Sequence, residues 1–292
     1  MNPFLEKIGY AEDDRVLITH IDDMGFCHAA NVASAECLAS SAASCASIIA
    51  NAPWFLEAAK ICKENPSFDV GVHLTLTSEY DTFRWAALSS TDPVTGLMDG
   101  QGYLWHTRED AIRNVKEEAA EAEMRSQIER VFDAGIDVTH IDTHMGSVVH
   151  PKFLRIYLKL AQEFGVPAFL PNITRERLGA LKEDAMADEY LDVLEKIDTD
   201  SVPSLDEIVI DTLIDLDDKK AYYRNIIDNI KPGLTHLLFH PAKDGAELRA
   251  ILDTFASRNA DYEAFSDPEM KEYIDAAGIK HIGYRELKAH LA

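Results

Sequence analysis

The sequence predicts an α/β fold built on parallel strands, and three observations carry that expectation. Apolar, β-prone runs alternate with helix-like segments from the start of the chain, as in parallel strands joined by right-handed crossovers. Several of these runs end in Asp or His, where parallel folds place their ligands. No linker, repeat or low-complexity tract divides the 292 residues, of which 47% are hydrophobic, so one domain over 1–292 is expected.

The first strand is expected at Val16-Leu17-Ile18, with Ile21 beyond it, and it runs into Asp22-Asp23-Met24-Gly25. Gly25 lets the chain turn tightly after the two carboxylates. Residues 28–40 have helix composition, and 44–50 return to strand character around Ile48 and Ile49. Asn51-Ala52-Pro53 then turns into a second helix, with Pro53 in its first turn and Phe55, Ala58, Ala59 and Cys62 at helical spacing. A third strand over 68–76 places His73 near its carboxyl end.

Residues 77–107 form a long connection without clear periodicity, carrying Tyr80, Phe83, Trp85, Tyr103 and Trp105. Loops of this length are usually functional or disordered. Its rings can stack on the apolar faces of a sugar on the substrate side, or simply pin the loop to the body, and burial statistics favour pinning.

A charged helix is expected over 108–134, with Ile112, Val115, Ala119, Ala122, Ile128 and Val131 as its apolar stripe and Gly135 as its stop. The strand over 137–144 contains His140-Ile141-Asp142-Thr143-His144. A helix over 151–164 opens at Pro151 and closes at Gly165, and a strand over 166–170 follows. Residues 173–205 read as charged and weakly helical, with a break at Pro203. A strand over 207–211, a helix over 217–230 and a strand over 235–240 ending in His240-Pro241 come next. Helices over 245–257 and 268–277 and a short strand over 279–283 complete the chain.

Charge narrows the function. The formal net charge is −23, from 51 acidic against 28 basic residues, which argues against nucleic acid or an anionic membrane as partner. The start of the chain, Met1-Asn2-Pro3-Phe4-Leu5-Glu6-Lys7, lacks the basic-then-apolar pattern of a secretory signal, and no apolar run approaches membrane-spanning length. A cytoplasmic protein is expected, with a homodimer left open. Cys27, Cys37, Cys45 and Cys62 match no zinc framework and are expected to be buried, reduced thiols.

The candidate site comes from what the strands end in. Asp22 and Asp23 close the first strand, His73 the third; His140, Asp142 and His144 lie on the 137–144 strand, and His240 ends the 235–240 strand. Imidazole nitrogens and a carboxylate oxygen are ordinary ligands of zinc and other divalent ions. Two histidines and one carboxylate leave positions open for water and substrate. Of two neighbouring carboxylates, one can bind a metal while the other handles a proton; Asp-Asp-x-Gly is also ordinary turn chemistry. Asp142 suits a supporting role, since a metal-bound imidazole normally donates its other N–H to a carboxylate or carbonyl. Among the 11 histidines, His28, His106, His236, His281 and His290 have no such shared context.

These motifs resemble the YdjC-like carbohydrate deacetylases. The family's Asp-Asp-x-Gly is matched by Asp22-Asp23-Met24-Gly25, and its strand and Asn-containing turn by Ile48-Ile49-Ala50-Asn51-Ala52. Its Gly-x-His-x-x-Leu-Thr pattern is met at Gly71-Val72-His73-Leu74-Thr75-Leu76-Thr77. His-x-Asp-x-His corresponds to His140-Ile141-Asp142-Thr143-His144, and the late His-Pro to His240-Pro241. The resemblance implies a TIM-like β/α barrel, distorted or with fewer than eight strands. It implies a divalent metal, zinc or magnesium, held by Asp23, His73 and His144, with Asp22 as general base. The implied activity is hydrolysis of an N-acetyl group from an amino sugar or short oligosaccharide.

His240 can then protonate the leaving amine, and His140, Asp142, His150 and Asn51 support the site or touch substrate. Two departures stand out. This chain has His20-Ile21 where the family usually has Asn-Ala, and Met145-Gly146-Ser147-Val148-Val149-His150 where it usually has a run of histidines. Alternatives on the same barrel are another metal-dependent sugar enzyme or a non-catalytic carbohydrate-binding protein. A phosphoesterase would want a cation at the strand ends, and the sequence offers none there.

Overall fold

The computed structural model describes residues 2–172, 174–176, 186–196 and 202–291. Its strands are β1 (Arg15–Met24), β2 (Cys45–Ile48), β3 (Val70–Leu74), β4 (Val138–Thr143), β5 (Glu207–Ile210), β6 (Gly233–Phe239) and β7 (Lys280–His281). All their pairings are parallel, in the order β4-β3-β2-β1-β6-β5, with β7 on the amino end of β1. Single bridges from Ile141 to Ala168 and from Pro171 to Leu205 carry the ring from β4 round toward β5. The result is the expected distorted barrel, with fewer than eight regular strands among the described residues.

β1 lies inside the sheet, between β2 and β6. Every residue from Val16 to Met24 is buried, because β6 flanks it on one side and β2 and β7 on the other. That enclosure explains its nearly continuous apolar character.

The helices are α1 (Pro3–Lys7), α2 (His28–Ala39), α3 (Phe55–Glu64), α4 (Arg108–Asn114), α5 (Glu117–Asp133), α6 (Pro151–Phe164), α7 (Ala187–Leu194), α8 (Lys219–Asp228), α9 (Ala246–Ile251), α10 (Phe255–Phe265), α11 (Pro268–Ala276) and α12 (Tyr284–Lys288). α6 follows its sequence signals closely. Pro151 stands in its first turn, Gly165 ends it at φ 64°, and Phe153, Leu154, Tyr157, Leu160 and Ala161 form its buried stripe. Burying each of the large side chains contributes about 2 kcal/mol.

Several expected elements differ. The single helix over 108–134 is two, because Val115 turns extended (ψ 127°) between α4 and α5. There the carbonyls of Ile112 and Val115 both accept from Lys152 Nζ at 2.6 Å. The helix over 245–257 also breaks: Leu252 is extended and buried, and α10 begins at Phe255. The strand over 166–170 is reduced to its bridge at Ala168, since Pro167 and Pro171 have no N–H for a ladder. The terminal helices α1 and α12 were not expected. Within 173–205, α7 is helical as read, while residues 173, 177–185 and 197–201 lie outside the described residues. All four cysteines are buried and free, as expected.

Candidate metal and catalytic site

Neighbouring residues of a regular strand point to opposite faces, yet Asp22 and Asp23 both line one cavity. The backbone explains this. The β1–β2 register shifts between Ile21 and Met24, and Asp23 takes a left-handed conformation at φ 68°. Gly25 follows at φ 91°, where an added Cβ would lie 3.0 Å from the Ile49 carbonyl oxygen. His73 comes from β3, and His144 from the turn after β4, where Met145 sits at φ 53°.

These residues converge. Asp23 Oδ1 lies 3.6 Å from His73 Nε2 and 3.3 Å from His144 Nδ1, and the two nitrogens are 3.3 Å apart. Two metal–ligand bonds of about 2.1 Å meeting at a tetrahedral angle put their outer atoms about 3.4 Å apart. Asp23 Oδ1 is buried with no hydrogen-bond donor, and Asp23, His73 and His144 form one of the groups whose donor atoms could share an ion. The donor set therefore fits a divalent metal.

The outer contacts fix both imidazoles for that role. His73 Nδ1 meets Asp142 Oδ1 at 2.9 Å, while Ser47 Oγ donates to Asp142 Oδ2 at 2.8 Å. His144 turns its Nε2 to Glu79 at 3.0 Å. Each ring thus spends one nitrogen on a carboxylate and presents the other to the shared point. Burial opposes charge on His73, but Asp142 and Asp22 outweigh it and raise its pKa; Glu79 and Asp23 do the same at His144.

On the other side of Asp23, Arg258 Nη1 donates to Oδ2 at 2.9 Å. Burial alone would raise the Asp23 pKa, yet Arg258 and His144 hold it well below the usual carboxylate range. A cation therefore stands at the site, although the strand ends supply none, as read from sequence: it comes from α10 and is engaged with Asp23.

Asp22 lies beside this donor set. Its Oδ1 meets His20 Nδ1 at 2.8 Å, while Oδ2 lies 3.8 Å from both His73 Nε2 and His240 Nε2. Burial, and then Arg258, push the His240 pKa down, so that imidazole is neutral near pH 7. The His240 backbone N–H is held by Asp261 Oδ2 at 3.2 Å. Behind it, Asp261 Oδ1 accepts from Tyr223 Oη at 2.5 Å and pairs with Lys219 Nζ at 2.6 Å.

The cavity above these groups holds about 620 Å³ and is walled by Tyr80, Met145, Leu213 and Ile251 among others. Asp22, Asp23, His144 and His240 are on its wall. His73, His140 and Asp142 lie beneath, each buried. Two expected site residues are used otherwise. His150 caps α6, its Nδ1 accepting from Lys152 N at 3.2 Å, and it is not on the cavity wall. Asn51 donates to the Ala86 carbonyl at 3.1 Å and so ties down the long loop.

In that loop Trp85 is buried against Phe26 and Leu104, which supports pinning; Tyr80 also reaches the cavity wall. Glu79 and Arg258 were missed from sequence, and His20 was read only as a departure from the family pattern. Glu79 and Arg258 sit in segments with no motif of their own. His20 did carry a signal: its i, i+2 spacing to Asp22 puts both on one face of β1.

Fold and site together define a parallel β/α barrel with a buried Asp-His-His centre at the carboxyl ends of its strands. The family described as YdjC-like protein matches residues 16–276. The chain belongs to this family. Similar proteins include a carbohydrate deacetylase of Brevibacillus brevis, 25% identical over 93% of this chain and 99% of its own length. Another, from Thermus thermophilus, is 29% identical over 92% of this chain and 93% of its own. A crystal structure from Enterococcus faecalis V583, described as a putative cellobiose-phosphate cleavage protein, shares the fold. It aligns with TM-score 0.76 and 24% identity over 94% of this chain and 99% of its own.

Proposed function

We propose that this protein is a metal-dependent hydrolase that removes the N-acetyl group from an amino sugar or a short N-acetylated oligosaccharide. The observation that carries the reading is Asp22 on the cavity wall, its Oδ1 held by His20, beside the Asp23, His73 and His144 donor set. The names of the similar proteins support it. A bound zinc or magnesium ion at that donor set would polarise the acetyl carbonyl and ease deprotonation of the attacking water.

The chain's own groups supply the rest. Asp22 Oδ2 accepts the proton of the attacking water. His240 is neutral at the start, so it receives this proton from Asp22 and passes it from Nε2 to the leaving nitrogen. The C–N bond breaks, giving acetate and a free amine. Arg258 anchors one oxygen of Asp23 and leaves the other to the metal. Tyr80, Met145, Leu213 and Ile251 offer apolar faces to a sugar ring, which gives the start of the 77–107 loop a substrate-side role.

The test is acetate release from mono-, di- and tri-N-acetylglucosamine by zinc- or magnesium-loaded protein, with Asp22→Asn alongside. Wild type should release acetate, and the variant should lose about 10²-fold or more in kcat. No acetate from any of these sugars by metal-loaded wild type would overturn the proposal.

A further inference from the structure

Asp22 is the outer end of a line of hydrogen bonds that runs through the barrel. His20 Nδ1 meets Asp22 Oδ1 at 2.8 Å, and His20 Nε2 meets His140 Nε2 at 2.9 Å. His140 Nδ1 meets Thr139 Oγ1 at 2.9 Å, and Thr139 Oγ1 in turn bonds Asp69 Oδ1. Asp69 Oδ2 accepts from the Arg285 backbone N–H at 2.7 Å. All five side chains belong to buried residues.

The line is built in place. His140 stacks on Tyr284 with ring centroids 4.0 Å apart at 17°. On its other side, a Cβ at Gly71 would lie 2.6 Å from three atoms of the His140 ring. Only glycine leaves room for that imidazole, which gives Gly71 a reason in packing.

Each neutral imidazole has one N–H and one bare nitrogen, so the bonds must all point the same way. If Asp69 is ionised it can only accept, and Thr139 donates to it. His140 then carries its proton on Nδ1 and receives His20 Nε2–H. His20 is left with a bare Nδ1 against Asp22, and that contact needs an extra proton. If Asp69 carries the proton instead, the Thr139 hydroxyl is free to donate onward and every bond can reverse: Asp69 to Thr139, Thr139 to His140, His140 to His20, and His20 Nδ1–H to Asp22.

We propose that the second arrangement is the working one, making His20 the positioning residue whose Nδ1–H orients the Asp22 carboxylate, with Asp69 protonated at the far end. The inference rests on the general-base role proposed above for Asp22. It places fewer charges inside the barrel than an ionised Asp69 with a His20 imidazolium would, and, unlike an ionised Asp69 with the extra proton on Asp22, it leaves Asp22 able to accept a proton as general base. Burial raises the Asp69 pKa against the Thr139 and Arg285 contacts that lower it, and burial, then His20, lower that of His140. One contact opposes it: Asp142 Oδ2 lies 3.5 Å from His20 Nε2, but that oxygen already accepts from Ser47 at 2.8 Å.

The test has two parts. Nitrogen NMR of the full chain with labelled histidine distinguishes protonated from bare ring nitrogens, and the His20 signals are assigned by their loss in His20→Asn. The proposal expects His20 with Nδ1–H and a bare Nε2, unchanged in Asp69→Asn, whose amide donates as the protonated carboxyl would. A His20 with Nε2–H and a bare Nδ1, or with both nitrogens protonated, overturns it.

In the acetate assay His20→Leu should lose about 10²-fold in kcat, with KM within about threefold and metal content unchanged. His20→Asn, which keeps a donor toward Asp22, should regain at least about tenfold of that loss. A folded His20→Leu within about threefold of wild-type kcat also overturns the proposal. Should His20→Leu not fold, the ring-nitrogen spectrum and His20→Asn decide the matter. Absence of acetate from wild type would count against the deacetylase reading alone, since the spectrum reads the line directly.

Discussion

Replacing Arg258 with Met exposes how the site balances its charges. Arg258 and Asp23 have side chains only 4% and 5% exposed, and their contact is 2.9 Å. At an effective dielectric constant of about 20, unit charges at that distance attract by about 6 kcal/mol. Desolvation offsets part of this, and removing one partner of such a pair typically costs about 3–5 kcal/mol. Met fills much of the same space, so the loss falls on the unpaired Asp23 carboxylate. For a chain of this size each kcal/mol moves Tm by about 2 °C, so Arg258→Met should melt about 6–10 °C below wild type in chelator.

A metal at the donor set would supply the missing positive charge. Saturating zinc should therefore raise the Tm of Arg258→Met more than that of wild type, and Asp23→Asn in the same background should abolish that gain. Differential scanning calorimetry with and without zinc reads both effects. An Arg258→Met protein that melts within about 2 °C of wild type in chelator, or that gains no more from zinc than wild type does, would refute the reasoning.

Two further outcomes follow from the same contacts. Glu79→Ala frees the His144 ring that it holds at 3.0 Å, and zinc affinity by calorimetric titration should fall about 10–100-fold; unchanged affinity would sink that assignment. His281, bonded to Thr19 Oγ1 at 2.7 Å, is pushed down to about 4 from 6.5 by burial and then by Lys271. Above about pH 6.5 it is neutral folded or unfolded. As the pH falls toward 4 only the unfolded chain takes the proton, so stability is lost across that window, by about 3 kcal/mol at 1.36 kcal/mol per pKa unit. Denaturant melts at pH 7 and 4.5 should show a smaller loss in His281→Asn than in wild type, and equal losses would contradict the assignment.

What the sequence revealed about the site depended on strand ends. The apolar run into Asp22-Asp23 marks the carboxyl end of β1, and His73, His144 and His240 follow the same logic on other elements. Those positions are local, and periodicity exposes them. Arg258 is different: it reaches Asp23 from α10, 235 residues away, and that helix starts only because Leu252 breaks the one before it. Propensity alone does not show where a charged helix pauses so that an apolar side chain can pack, and the same reason hides the break at Val115. Glu79 lies in the aperiodic 77–107 segment, where sequence pattern gives no direction for a side chain. His20 was visible as a departure at its position, but its meaning depends on His140 across the barrel, a pairing that only the β-strand order supplies.

The most direct test is to strip the protein with chelator, return zinc in measured fractions of an equivalent, and follow acetate release from N-acetylglucosamine oligomers. The account predicts no acetate without metal, a rate rising in proportion to zinc up to one ion per chain, and no such rise in His73→Ala. Full activity in the stripped protein, or no acetate at any zinc content, would contradict it.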